Sequence, residues 1–352
     1  LVTSRNVPAV ALASKIDEPD LYDFIDQANI GNLKHKDYYG LSIVLGSAEF
    51  NMMELTALYG ILANEGSYQD ISALMNNDSA FLSKKQMLSP EVSYLIRNIL
   101  EKNPKPTRPN IYSHKKSRVP VAYKTGTSIG FKDSWSIGLF DDYIVAVWLG
   151  NFNGAGNPVF NGRGLATPLM FEVIESLTPE LVNESEYLNK TYPPEKVIET
   201  EVCSVSGQLA LRHCRHKIST LYIPGISPIE KCTICREIYV NKQTGFRTFR
   251  KKGKFIEKQV VEFWPTDLLA LFKKAGIPRI VPPPFDPSEE LDQLSVTGIP
   301  PEIISPLADT EYLLQPDIPE FNQMPLKVTT DADVQEVYWF IDNKFIGRTS
   351  PD

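Results

Sequence analysis

The sequence has no long apolar run and no excess of basic charge. Its longest apolar run, close to residues 143–149, is far too short to cross a bilayer as a helix. Lys and Arg total 36 against 43 Asp and Glu, giving a formal net charge of −7. Because nucleic-acid-binding domains present a basic face, we expect no nucleic-acid partner. The 352 residues, 42% hydrophobic and 22% charged, predict a globular chain of two or three domains.

Cysteine is also scarce, and all four cysteines fall within one short segment. They are Cys203, Cys214, Cys232 and Cys235. In an exported protein such clustering is typical of disulfides, and we predict two, each joining one of the first two cysteines to one of the last two. The alternative is zinc, because the last two have metal-ligand spacing and His213 or His216 could join them. We otherwise expect no cofactor and no catalytic metal.

A candidate substrate-binding strand is predicted over Val121–Lys124 and leads into Thr125-Gly126-Thr127-Ser128. Lys124 can serve as the fixed cation for a substrate carboxylate, with the hydroxyls of Thr125 and Thr127 beside it. Gly126 lets a ligand lie against the backbone. The N–H of Thr127 is then free to donate to a developing oxyanion. Taken alone, the triplet also fits an ordinary strand that ends in a glycine turn.

The first residues supply the context for this strand. Ser4-Arg5-Asn6 is a Ser-x-Asn motif, followed by Val7-Pro8-Ala9-Val10. Together with the Lys-Thr-Gly triplet, this order resembles the transpeptidase domain of class A penicillin-binding proteins. Residues 127–135 are similar to the 1C subclass in particular. The resemblance covers most of residues 1–177.

This resemblance implies a peptidoglycan D,D-transpeptidase that acts through a serine ester. Ser4 would relay protons, Asn6 would hold the substrate amide and the active-site lysine, and Lys124 would complete the catalytic set. Thr125, Gly126, Thr127 and Ser128 would bind the substrate. The implied partners are the stem peptides of peptidoglycan and β-lactam antibiotics.

One element of the family pattern is not among these motifs. The family's nucleophile lies in a Ser-x-x-Lys motif on the N-terminal side of Ser-x-Asn, whereas this chain begins three residues before Ser4. We therefore expect the nucleophile outside the chain, in a longer bifunctional cell-wall synthase. The resemblance implies that such a protein also carries a glycosyltransferase domain and a membrane anchor and works in the periplasm or outside the cytoplasm.

The predicted fold is α+β. Ser89-Pro90 is predicted to start a helix, and turns are predicted at Asp141-Asp142 and Asp342-Asn343. An antiparallel sheet flanked by helices, similar to that of serine transpeptidases and β-lactamases, is expected in a domain over residues 1–178. Residues 179–302 are predicted to hold a linker, a small cysteine-containing module and a proline-rich spacer. Residues 303–352 alternate in strand fashion and resemble part of the C-terminal β-sandwich of 1C-type proteins.

Other functions remain open from the sequence. The chain could be a non-catalytic envelope scaffold that binds peptidoglycan or a partner protein through its C-terminal domain. A D,D-carboxypeptidase would use the same motifs. A β-lactamase is disfavoured, because the long C-terminal extension is unusual for a single-domain enzyme.

Overall fold

The computed structural model describes residues 1–72, 84–106, 120–181, 193–227, 230–289, 300–308, 310–313 and 323–351. The chain folds into two compact units, each described below by itself. The first is Leu1–Ile198 with Leu221–Ile226, and the second is Glu199–Thr220 with Ser227–Asp352. Parts of the predicted linker (182–192) and spacer (290–299) lie outside the described residues. No helix in the described ranges is long and apolar enough to span a membrane.

The first unit contains six α-helices among its described residues, besides a 3-10 helix (Gly40–Leu45) and a π-helix (Gly162–Ala166). The α-helices are α1 (Asn6–Ala13), α2 (Leu21–Gln27), α3 (Lys36–Tyr39), α4 (Met52–Ala63), α5 (Pro90–Glu101) and α6 (Thr167–Leu181). Local capping chemistry sets several of their starts. Asn51 accepts from the Glu54 N–H at 3.0 Å, and the Glu54 carboxylate accepts from the Asn51 N–H at 2.7 Å. Ser89 caps α5 with Pro90 at its first position, as the sequence predicts.

The part of the first unit that the structure describes has five strands. They are β1 (Ser67–Gln69), β2 (Lys84–Gln86), β3 (Ala122–Thr127), β4 (Asp133–Phe140) and β5 (Tyr143–Gly150). The first two pair with each other, and the other three form an antiparallel sheet in the order β3-β4-β5. The predicted tight turn between β4 and β5 is present. Asp141 occupies the left-handed region there, with φ of 48°.

Helices cover both faces of the β3-β4-β5 sheet. On one face, α6 contributes Met170 and Ile174 to a core with Tyr123 and Phe140, all four almost fully buried. On the other face, α4 and α5 pack against Leu139 and its neighbours. Side chains of successive strand residues point to opposite faces, so one strand serves both cores. This arrangement holds β3 firmly at one edge of the sheet.

The described residues of the second unit form short strands and one helix. This unit holds most of β6 (Ile198–Cys203) and β7 (Lys217–Tyr222), whose residues 198, 221 and 222 are counted in the first unit. Its other strands are β8 (Cys235–Asn241), β9 (Arg247–Thr248), β10 (Ile256–Glu262), β11 (Glu302–Ser305), β12 (Lys327–Thr329), β13 (Val337–Ile341) and β14 (Lys344–Thr349). Its helix is α7 (Thr266–Lys274). β6 pairs with β7, and β8 lies between β9 and β10 in an antiparallel sheet.

The C-terminal residues form two antiparallel pairs, β11 with β12 and β13 with β14. Asp342 and Asn343, with φ of 48° and 65°, make the predicted turn between the last two strands. A closed sandwich over these residues stays a prediction. The described chain is therefore a mixed α and β protein with small antiparallel sheets, which confirms the predicted fold class at that level.

Candidate functional site

The predicted carboxylate-binding triplet lies inside β3 rather than at its end. Gly126 pairs with Trp135 of β4, and the ladder continues through Thr127. The reading of the triplet as a strand that stops in a glycine turn is therefore wrong. The ladder extends because Trp135 and the residues beside it supply a complete partner strand.

One edge of β3 is open to a ligand. Among the described residues, no strand pairs with β3 on the side away from β4. The Ser128 N–H donates to the Asp133 carbonyl at 3.1 Å. Backbone groups that point toward and away from the partner alternate along an antiparallel strand. The N–H of Thr127 therefore points toward the open edge, where an extended substrate could add as a further strand.

Lys124 contacts Ser4 across the longest sequence separation in the site. Its Nζ donates to the Ser4 Oγ at 2.6 Å and to the Thr125 carbonyl oxygen at 2.7 Å. The Lys124 side chain is half-buried. Burial, and then the charge of Arg163, lowers the pKa of Lys124 from its ordinary value. The contact places a cation and a hydroxyl from the two predicted motifs side by side.

A tight turn presents Ser4. Its φ of 49° lies in the left-handed region, and its N–H donates to the Leu1 carbonyl at 3.1 Å. The strain of this conformation, about 1 kcal/mol or more, is typical of functional positions. Asn6 follows as the exposed first residue of α1, two positions from Ser4. The turn keeps both residues of the Ser-x-Asn motif at the surface.

Two of the predicted substrate-binding hydroxyls also serve the local fold. The Thr127 Oγ1 accepts from the Gly162 N–H at 3.0 Å, and the Ser128 Oγ accepts from the Asp133 N–H at 2.8 Å. A hydroxyl that accepts one hydrogen bond can still donate its own proton. Both residues thus keep a donor for a carboxylate while the bonds they accept fix their positions.

Gly162 brings a second loop against the strand. A Cβ at this position would lie 2.6 Å from the carbonyl oxygens of both Gly126 and Trp135, so no other residue fits without movement. Arg163 follows and is exposed, and its charge acts on Lys124. Sequence reasoning missed Arg163, because it lies in a Gly-rich loop whose docking on β3 depends on tertiary structure. The glycines on either side of Arg163 are the signal that could have suggested a close approach.

The base of β3 is held by another residue that the sequence did not single out. Asn103 is buried, and its Nδ2 donates to the Tyr123 carbonyl at 2.6 Å. The Tyr123 hydroxyl donates in turn to the Pro104 carbonyl at 2.7 Å. The Asn103 bond uses the edge of β3 away from β4, and together the two bonds fix the strand just before Lys124.

The four cysteines form a separate cluster in the second unit. All are buried, all are free thiols, and their Sγ atoms lie within 4.8 Å of one another. The two predicted disulfides are not formed in this structure, and that pairing stays a prediction. Burial alone raises the pKa of the Cys203 thiol, but hydrogen bonds from the backbone N–H groups of Ser206 and Val205 bring that pKa down to about 7.

Comparisons with known proteins identify the family. The model of the Penicillin-binding protein 1A, C-terminal domain matches residues 193–237, and that of the Penicillin-Binding Protein C-terminus Family matches residues 290–352. Penicillin-binding protein 1C of Escherichia coli (strain K12) is 25% identical over 240 residues, 65% of this chain and 29% of the relative. Penicillin-binding protein 1A of Clostridium novyi (strain NT) is 30% identical over 273 residues, 70% of this chain and 29% of the relative.

A solved structure is also similar. The crystal structure of Penicillin-Binding Protein 1A from Haemophilus influenzae aligns with a TM-score of 0.49 and 15% identity, over 65% of this chain and 40% of that chain. The family assignment rests on the sequence comparisons.

The chain belongs to the penicillin-binding protein family. Within that family it is similar to the C-terminal region of class A members of the 1A and 1C types. It spans less than a third of the length of each of these two relatives, 29% in both cases. The predicted family is thereby confirmed, while the roles of the individual site residues stay predictions.

Proposed function

We propose that this chain carries the substrate-recognition part of a serine-type D,D-transpeptidase that cross-links peptidoglycan outside the cytoplasm. Membership of the penicillin-binding protein family supports a role in cell-wall synthesis. The observation that carries the finer proposal is the contact between Lys124 and Ser4 beside the open edge of β3.

The substrate would lie along that edge as an added strand. Its terminal carboxylate would pair with the Lys124 ammonium and accept hydrogen bonds from the hydroxyls of Thr125 and Thr127. Asn6 would hold the penultimate amide and the active-site lysine. The outward N–H of Thr127 would donate to the oxyanion that forms on the scissile carbonyl.

The chemistry proceeds by acyl transfer. A serine hydroxyl of a Ser-x-x-Lys motif attacks the penultimate D-Ala carbonyl, the amide C–N bond breaks, and the terminal D-Ala leaves as an amine. The proton that the attacking serine gives up passes to the lysine of its motif, and Ser4 relays it from that lysine to the leaving amine through its hydroxyl. An amine of a neighbouring stem peptide then attacks the serine ester, which forms the cross-link and frees the serine. The Lys124–Ser4 contact would keep the Ser4 hydroxyl oriented for this relay.

Turnover of pentapeptide stem substrates by the protein expressed from its whole reading frame tests this proposal. We expect release of D-Ala together with cross-linked peptide dimers, both reduced by Ser4→Ala. D-Ala release without dimers would assign a D,D-carboxypeptidase instead. Absence of both products in a folded protein would favour a non-catalytic scaffold.

A further inference from the structure

The cysteine cluster, defined as Cys203, Cys214, Cys232 and Cys235, has the dimensions of a metal site. Its four Sγ atoms lie within 4.8 Å of one another, and those of Cys203 and Cys235 are 3.6 Å apart. A tetrahedral zinc ion with Zn–S bonds of about 2.3 Å separates its sulfurs by about 3.8 Å. Two disulfides would instead hold the sulfurs in two pairs about 2 Å apart. The observed spacing is that of one shared centre.

Hydrogen-bond donors surround the sulfurs. The Cys235 N–H donates to the Cys232 Sγ at 3.4 Å, and the Leu211 N–H donates to the Cys214 Sγ at 3.3 Å. The Ser206 hydroxyl adds a bond to the Cys232 Sγ at 3.2 Å. Donors placed on the ligand atoms orient them and offset thiolate charge, as in metal sites generally. A pair of neutral disulfides needs none of them.

One of the two histidines that the sequence suggested as ligands, His213, has another partner. The His213 Nε2 lies 2.8 Å from the Cys235 carbonyl oxygen, to which it donates. This bond fixes the backbone at a cysteine of the cluster rather than adding a nitrogen ligand. Within the described residues, neither His213 nor His216 belongs to the candidate ligand set, which is made of sulfur alone.

The cysteine cluster lies at the centre of a region that has little apolar core. Among the described residues packed in this cluster, Ile234 and Trp264 are the buried apolar side chains, and the other apolar neighbours are partly exposed. The backbone of this region is joined by single bridges, such as the Cys232 N–H to the Leu209 carbonyl at 3.0 Å. A small module with so little apolar core needs a cross-link. An ion at the centre would tie the end of β6 and the start of β8 to the two loops between them.

We propose that Cys203, Cys214, Cys232 and Cys235 bind one structural zinc ion as four thiolates. Four protein ligands leave no open position for substrate or water, so the ion stabilises the module and takes no part in catalysis. Zinc suits this role because it holds tetrahedral thiolate sites without redox chemistry. Binding releases the thiol protons to solvent, and folding of the module becomes coupled to the metal.

The metal content and thiol state of the whole chain, exported to an oxidising compartment and purified without chelator, test this site. Native mass spectrometry and elemental analysis should find one zinc per chain, with four thiols freed on denaturation with EDTA. A gain of four protons on reduction with no zinc would establish two disulfides and overturn the proposal. Bound iron would equally overturn it.

Variants and cobalt supply independent checks. Cys214→Ser should abolish stoichiometric zinc, whereas Thr233→Ser, an exposed position between the last two cysteines, should keep it. Because Cys214→Ser can also unfold the module, cobalt is added to the apo wild-type chain. Visible bands of tetrahedral cobalt with thiolate charge transfer support the site, and their absence refutes it.

Discussion

Replacing Lys124 with alanine should slow acylation by penicillin while leaving the fold intact. The structure gives the reason. The Lys124 Nζ donates at 2.6 Å to the Ser4 Oγ and at 2.7 Å to the Thr125 carbonyl, beside the open edge of β3. In the proposed complex the same ammonium also pairs with the carboxylate of the β-lactam. Alanine removes the cation and leaves Ser4 without the donor that orients its hydroxyl.

The expected size follows from the energy of one charge-assisted hydrogen bond. Such a bond contributes about 1.5–3 kcal/mol, and about 1.4 kcal/mol corresponds to a tenfold change in rate. Loss of one bond in the transition state should therefore slow acylation about 10- to 150-fold. If both the carboxylate pair and the Ser4 contact are lost, the decrease in the acylation rate should reach or exceed the upper end of this range.

Stability should respond much less. Burial lowers the pKa of Lys124, which means that the fold disfavours its charged form. Removing that charge therefore costs the fold little, and the unfolding temperature should change by less than about 4 °C. A split between a large kinetic effect and a small thermal effect separates a site residue from a structural one.

The assay is the rate of acylation by a fluorescent penicillin, measured on the protein expressed from its whole reading frame. Lys132→Ala is the matched control, because Lys132 is an exposed lysine in the turn between β3 and β4. Lys124→Arg should recover only part of the rate, since a planar guanidinium does not reproduce a compact ammonium. Equal acylation rates for Lys124→Ala and the parent would refute the role of Lys124.

Three further predictions follow from single residues. In a pH–rate profile, the acylation rate should start to fall at a pH below the ordinary lysine pKa of about 10.4, because Lys124 has a lowered pKa and loses its proton at a lower pH. Lys124→Arg should move this alkaline limb of the profile to higher pH. Gly162→Ala should destabilise the protein by about 1–3 kcal/mol in denaturant unfolding. Gly347→Ala should be near neutral, because a Cβ added at Gly347 would have no neighbouring atom within 4 Å. Asn51→Ala should lower the free energy of unfolding by about 1 kcal/mol, because it removes the capping box of α4. Ser176→Ala, at an exposed position, is the control, and equal stabilities of the two variants would contradict the role of Asn51 as a cap.

The sequence predicted those features that local chemistry determines. The start of α5 was predictable because Ser89 and Pro90 act within one helical turn. The β4–β5 hairpin was predictable because two strand-forming runs flank Asp141-Asp142. The bounds of β3 were less accurate. Its predicted end at Lys124 was too early, because pairing with Trp135 carries the strand on to Thr127.

The arrangement of the site could be predicted only in part. The motifs identified Ser4 and Lys124 separately, and their contact depends on packing between residues 120 positions apart. The influence of Arg163 was missed because it depends on the docking of Gly162 against β3. The cysteines were recognised as a group, yet their spacing could not distinguish disulfides from zinc. That distinction rests on sulfur–sulfur distances, which no sequence pattern supplies.

Covalent labelling by penicillin tests whether the protein is a serine acyl-transferase in which Ser4 and Lys124 take part. The protein expressed from its whole reading frame is incubated with penicillin, and intact-mass and peptide analysis locate the adduct. The proposed transpeptidase role predicts one penicilloyl ester per chain on a serine of a Ser-x-x-Lys motif, with labelling strongly slowed by Ser4→Ala and Lys124→Ala. A folded protein that forms no adduct, or one labelled equally fast in both variants, would contradict it.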